Sequence, residues 1–212
     1  MGTTRERSRA WTRRAQLGTL LLALAQPVAA AADDLVQQIE ALLTAGIEPN
    51  EQHASIAALG PAAEQALLQV FEREQAPRYV RLRALSALPS FHTASAARYL
   101  ERLVRAAPQR DDPWLGALHP ARSPLVLRRA LEGLIDTAST LQPALAAEPV
   151  SACLAHADAH VRERAARLLE TLDGRGVDQA LTQHLARERS LMVRGRLQQS
   201  ITSRSARRPA PR

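Results

Sequence analysis

The chain has 212 residues, 46% of them hydrophobic but only 3% aromatic, with a formal net charge of +7 and a single cysteine, Cys153. One cysteine excludes an internal disulfide. The positive charge sits at the ends: residues 1–32 carry five Arg against Glu6, residues 204–212 carry four Arg, and the body between them is left at −1. A near-neutral body lacks the continuous basic footprint that nucleic-acid binding needs.

The N-terminus reads as an export signal. Arg5, Arg7, Arg9, Arg13 and Arg14 form a positive start, residues 17–25 a short apolar run, and Pro27 a break. Val28-Ala29-Ala30 or Ala30-Ala31-Ala32 then offers a small-x-small cleavage site before Asp33-Asp34. That order is the plan of a secretory signal peptide over residues 1–32. It leads to the expectation of an exported protein, periplasmic or extracellular. Thr12-Arg13-Arg14-Ala15-Gln16-Leu17 resembles a twin-arginine export motif, with Gln16 where Phe is usual. The other reading is an uncleaved inner-membrane anchor. The uncharged stretch 15–32 has 18 residues, against roughly 20 for a spanning helix.

From residue 34 onward the chain shows apolar residues at helical spacing, no β-branched runs and almost no alternation, which predicts an all-α fold. Breakers and caps place helices over 34–44, 50–59, 61–74, 77–88, 94–107, 123–138, 143–156, 158–172, 177–189 and 190–203. Asn50 and Ser123 are expected as caps, Pro61 and Pro124 at first helical positions, and Pro149 as a disturbance. Residues 204–212 have no apolar period, are rich in Arg and Pro, and read as a disordered basic tail.

A short pattern recurs in the same phase: Val80-Arg81-Leu82-Arg83-Ala84, Val126-Leu127-Arg128-Arg129-Ala130, Val161-Arg162-Glu163-Arg164-Ala165 and Val193-Arg194-Gly195-Arg196-Leu197. The valines are 46, 35 and 32 residues apart. Self-similarity at this period marks stacked helical repeats. Each Val helix reads as the first of a hairpin, with stripes such as Val80, Ala84, Leu85, Leu88 and Val161, Ala165, Leu168, Leu172. Partner helices carry Leu67, Leu68, Phe71, then Leu100, Leu103, Val104, then Leu181, Leu185.

With Leu59-Gly60-Pro61-Ala62-Ala63 and Asp158-Ala159-His160-Val161-Arg162 added, residues 50–203 resemble HEAT repeats of the short, Ala-rich bacterial sort also called PBS-lyase-like. Two positions depart from that pattern: Leu127 replaces the first Arg in the second copy, and Leu197 replaces the central Ala in the last. The resemblance implies a right-handed α-solenoid of about four to five hairpins over 33–203 that binds proteins. It also implies that the first Arg of a copy reaches an Asp or a backbone carbonyl in a neighbouring repeat, with Asp158 placed to serve Arg162.

Candidate binding residues follow. The second arginines, Arg83, Arg129 and Arg164, form either a polar stripe for an acidic ligand or a structural ladder. The longest repeat spacing places a surplus at 108–120, which holds Asp111, Asp112 and Trp114. Insertions in repeat proteins map to one face, often the binding face, and Trp is a frequent interface anchor. Trp114, Leu115 and Leu118 could instead fold back and plug a gap between repeats. His156 and His160 flank Asp158, but a third metal ligand is lacking and they are expected to straddle a helix corner. Cys153 is expected as a buried thiol, with an intermolecular disulfide as the alternative.

No catalytic motif, phosphate loop or cofactor signature is evident. The expectation is a non-enzymatic scaffold for a protein or peptide partner, with no cofactor, metal or nucleic acid. Two other readings remain: a membrane-tethered assembly factor whose basic tail touches anionic lipid, and a subunit of a bilin-lyase-like enzyme.

Overall fold

The computed structural model describes residues 31–45, 49–106, 123–141, 144–174 and 176–207. Their regular structure is entirely helical, in agreement with the all-α expectation. The helices are α1 (residues 31–44), α2 (Pro49–Ala57), α3 (Ala62–Glu72), α4 (Arg78–Ala87), α5 (Ala94–Arg105), α6 (Pro124–Leu141), α7 (Ala144–Ala152), α8 (Ala159–Thr171), α9 (Val177–Arg187) and α10 (Leu191–Arg207). Short 3-10 turns, Leu88–Phe91 and Cys153–Ala155, follow α4 and α7.

The helix ends have local causes. Gly60 turns the chain between α2 and α3 at φ +93°, a conformation that costs other residues steric strain. Thr93 caps α5 by accepting from the Ala96 amide, and Asp158 caps α8 by accepting from the His160 and Val161 amides. Several boundaries differ from expectation, among them Pro61, which precedes α3 and does not open it. Asn50 lies inside α2, which begins at Pro49. Helix α7 continues through Pro149, whose missing N–H costs the helix one ladder bond without breaking it.

Consecutive helices form two alternating series. Helices α4, α6, α8 and α10 pack on α3, α5, α7 and α9 respectively. Along one series α4 packs on α6, α6 on α8 and α8 on α10; along the other α5 packs on α7 and α7 on α9. The Val-Arg helix is therefore the second member of its close pair, not the first as its sequence reading held. Pro89 is the second residue of the turn Leu88–Phe91, which lies against both α4 and α5. The turn carries α5 away to pair with α6.

One apolar core runs from Val36 in α1 to Leu197 in α10. The repeated positions supply it: Val80, Val161 and Val193 are fully buried, as are Ala130 and Ala165, and Val126 nearly so. The small alanines let the helix axes approach, and the leucines around them fill the remaining space. Burying one such Leu or Val contributes about 1.5–3 kcal/mol.

Two glycines predict opposite outcomes for one substitution. A Cβ on Gly133, in α6, would lie 2.8 Å from Pro89 Cγ and 3.2 Å from Leu100 Cδ1. The proline ring cannot rotate away. Gly133→Ala gains about 1 kcal/mol of helix propensity but incurs an overpacking cost of about 1–3 kcal/mol. A net loss is expected, read as a lower urea midpoint. Gly195, exposed in α10, has nothing within 4 Å of a new Cβ, so Gly195→Ala should gain about 0.5–1 kcal/mol. A Gly133→Ala protein as stable as the parent would contradict the close approach of α6 to Pro89.

Candidate functional site

The arginines of the recurring pattern are engaged in two sets. In two copies the first arginine reaches carbonyls of the preceding element. Arg81 Nε donates to Phe71 O at 2.7 Å and lies over the Phe71 ring. Arg162 Nη1 donates to the carbonyls of His156 (2.8 Å) and Ala157 (2.6 Å). Asp158, expected to receive Arg162, instead spends its carboxylate on the α8 amides. The charge partner of Arg162 is Glu188, held bidentately at 2.8 and 2.9 Å.

The second arginine reaches back to an earlier helix. Arg83 donates to Leu43 O at 2.7 Å, closing the end of α1, and lies over Tyr79. Arg164 of α8 pairs with Glu132 of α6 at 3.2 Å, and Arg196 of α10 with Glu163 of α8 at 3.0 Å. Arg129 also pairs with Glu132, within its own helix, at 3.1 Å. Glu132 thus brings Arg129 and Arg164 together, while Arg83 stands apart near α1. The three candidate arginines all have protein partners. Asp111, Asp112 and Trp114 lie outside the described residues.

A cleft of about 270 Å³ opens where the turn Cys153–Ala155, the start of α8 and the end of α9 converge. Leu154 and Ala155 form its apolar part; Arg162, His184, Arg187, Glu188 and Arg189 supply polar walls. Glu188 is held below the usual carboxylate range, first by the hydrogen bond from Arg162 and also by the Ser190 and Arg189 amides, with burial opposing. Arg162 is correspondingly raised by Glu188. Burial, then the Arg187 charge, holds His184 below its ordinary value; Glu188 pulls the other way and Arg162 adds to the lowering. Sequence reading missed this site because Glu188 was absorbed into a helix expected to end at residue 189. In the structure α9 ends at Arg187, and Glu188 is extended. The run Arg187-Glu188-Arg189-Ser190, charged at a helix corner, was the available signal.

Other candidates settle into structural places. His156 is buried, and its Nδ1 accepts from the Asp158 amide at 3.0 Å, whereas His160 is exposed. Among the described residues no group of three or more His, Cys, Asp or Glu is placed to hold a metal ion. Cys153 is buried, which pushes its thiol up to about 12, so it stays protonated and unreactive near neutral pH.

The expected basic tail needs a boundary correction. Helix α10 runs to Arg207, and Arg204 is 9% exposed. Its guanidinium bonds offset the burial that hydropathy would forbid. Residues 208–212 lie outside the described residues, as does the expected signal segment except residues 31–32. Among the described residues no helix is long and apolar enough to cross a membrane. No protein-family model, no curated protein and no solved structure matches the chain.

Proposed function

We propose that this chain is an exported, non-enzymatic scaffold, a right-handed α-solenoid of about four to five HEAT-like hairpins that binds a protein partner. The observation that carries the reading is the recurrence of one donor position: Arg164 to Glu132, then Arg196 to Glu163, each joining a Val-Arg helix to the preceding one, with acceptors one helical turn apart in the repeat. A repeat that hooks to its neighbour in the same way builds an extended surface more readily than a closed active site. The order of charge, apolar run and small residues over 1–32 supports export.

The test begins with the native chain in its cell. Mass spectrometry of the mature N-terminus, after fractionation, should find a soluble envelope species beginning near Ala31 or Asp33. Cross-linking in that compartment should then yield one reproducible protein partner. A full-length chain in the membrane would replace this reading with the tethered one. A full-length cytosolic chain would overturn export.

A further inference from the structure

The scaffold reading leaves the binding surface unplaced. The cleft beside α9 differs from the arginine ladder in one respect: its charges are not all consumed. Arg162 and Glu188 neutralise each other, and Glu188 Oε1 accepts further from the Ser190 amide at 2.8 Å and the Arg189 amide at 3.0 Å. That ion pair is a fixed, neutral wall. Arg187 and Arg189 are exposed at the rim, and neither guanidinium makes a hydrogen bond or ion pair among the described residues. The field at the mouth is positive, and the lining away from the rim is mixed, with buried Leu154 and His156 beside exposed Ala155.

Immediately beyond Arg189 stand two large exposed apolar side chains, Leu191 at 82% and Met192 at 46%. They open helix α10, so they adjoin the cationic rim along the chain. The cleft, at about 270 Å³, falls just below the roughly 300–1,000 Å³ of small-molecule sites. Its size suits one side chain.

We infer that this corner is the docking point for an acidic-then-apolar segment of the partner protein: a carboxylate side chain enters the cleft between Arg187 and Arg189, and the residue after it rests on Leu191 and Met192. Two guanidinium groups match a carboxylate in charge and in donor geometry. The apolar shelf supplies the area that a rim charge pair alone lacks. The inference rests on the scaffold reading and locates its surface.

The probe is the peptide acetyl-Glu-Leu-Leu-amide, titrated into the ¹⁵N-labelled folded protein and followed by amide shifts. Saturable shifts at residues 154–156 and 184–192 are expected, with acetyl-Gln-Leu-Leu-amide binding about tenfold more weakly. The double variant Arg187→Ala/Arg189→Ala should lose about tenfold in affinity, and Leu191→Ser/Met192→Ser a smaller factor. Both pairs are exposed, so the fold should persist. As a positive control, Arg187→Glu/Arg189→Glu should instead prefer acetyl-Lys-Leu-Leu-amide. Equal binding of the Glu and Gln peptides, shifts centred elsewhere, or no saturation overturns the site. Inorganic phosphate saturating the same amides at equal or lower concentration also overturns it, in favour of a free-anion site. If the double variant still cross-links the same envelope partner as the parent, the site fails while the scaffold reading stands.

Discussion

Arg162→Ala should destabilise the protein by about 3–5 kcal/mol, the range for removing one partner of a buried ion pair. The side chains of Arg162 and Glu188 are 17% and 7% exposed, so water reaches the lost bonds only through the cleft. The variant leaves the Glu188 carboxylate with only the Ser190 and Arg189 amides, and the carbonyls of His156 and Ala157 without the guanidinium. Thermal unfolding should fall by roughly 10 °C for a domain of this size. Arg162→Lys should recover only part of the loss, because an ammonium cannot span two acceptor sites in one plane. Replacing both partners by leucine should cost less than Arg162→Ala alone. The pH dependence has a definite sign. Glu188 has a folded pKa below its ordinary value of 4.5, so its stabilisation is complete above that value and is lost as pH falls through the lower folded one. The stability gap between the parent and Glu188→Gln should close over that same interval. An Arg162→Ala protein within 1 kcal/mol of the parent would remove the ion pair from the account of this corner.

The second large effect is expected at Arg204. Its Nε donates to Asp178 at 2.6 Å, and Nη1 donates to the carbonyls of Leu169 (3.0 Å) and Leu172. These carbonyls close the end of α8, where Leu169 O otherwise receives only the Leu172 amide at 3.4 Å. Arg204→Ala should cost about 2–3 kcal/mol, since each buried acceptor left unmade costs roughly 1–3 kcal/mol. Deleting residues 204–212 should cost at least as much, although that segment reads as a dispensable tail. Deleting only 208–212 should leave unfolding unchanged within about 0.5 kcal/mol. Equal stability of the two truncations would refute the capping role.

These two arginines also mark where sequence reading stops. The all-α class was legible because Val80, Val126, Val161 and Val193, with their alanines, hold a helical period and are buried as the period requires. Pairing was less legible. Glu188 lies 26 residues from Arg162, and Glu132 lies 32 from Arg164. No periodicity links an arginine to a glutamate at such distances, and Asp158 stood nearer in the chain. Capping chemistry took Asp158 first. The period ends at Ser203 only in hydropathy, which records Arg204 as polar and cannot register the carbonyls that receive it. The cleft escaped notice for a related reason: its parts come from α8, α9 and a turn whose convergence is tertiary.

The arginine bonds have a direction as well as a register. Arg81 reaches Phe71, Arg83 reaches Leu43, Arg164 reaches Glu132, Arg196 reaches Glu163 and Arg204 reaches Leu169, each an acceptor nearer the N-terminus. Arg78 runs the other way, to Ser123, as does Arg105 to Glu148, and Arg162 adds to its backward bonds a forward one to Glu188. For a chain that emerges N-terminus first, most helices would find their acceptors already made, while α8 would wait for the corner after α9. Chains ending at residues 174, 189 and 207, compared by amide exchange, should show α8 gaining protection only once Glu188 is present. Assembly would then advance hook by hook, with a few latches that shut from behind.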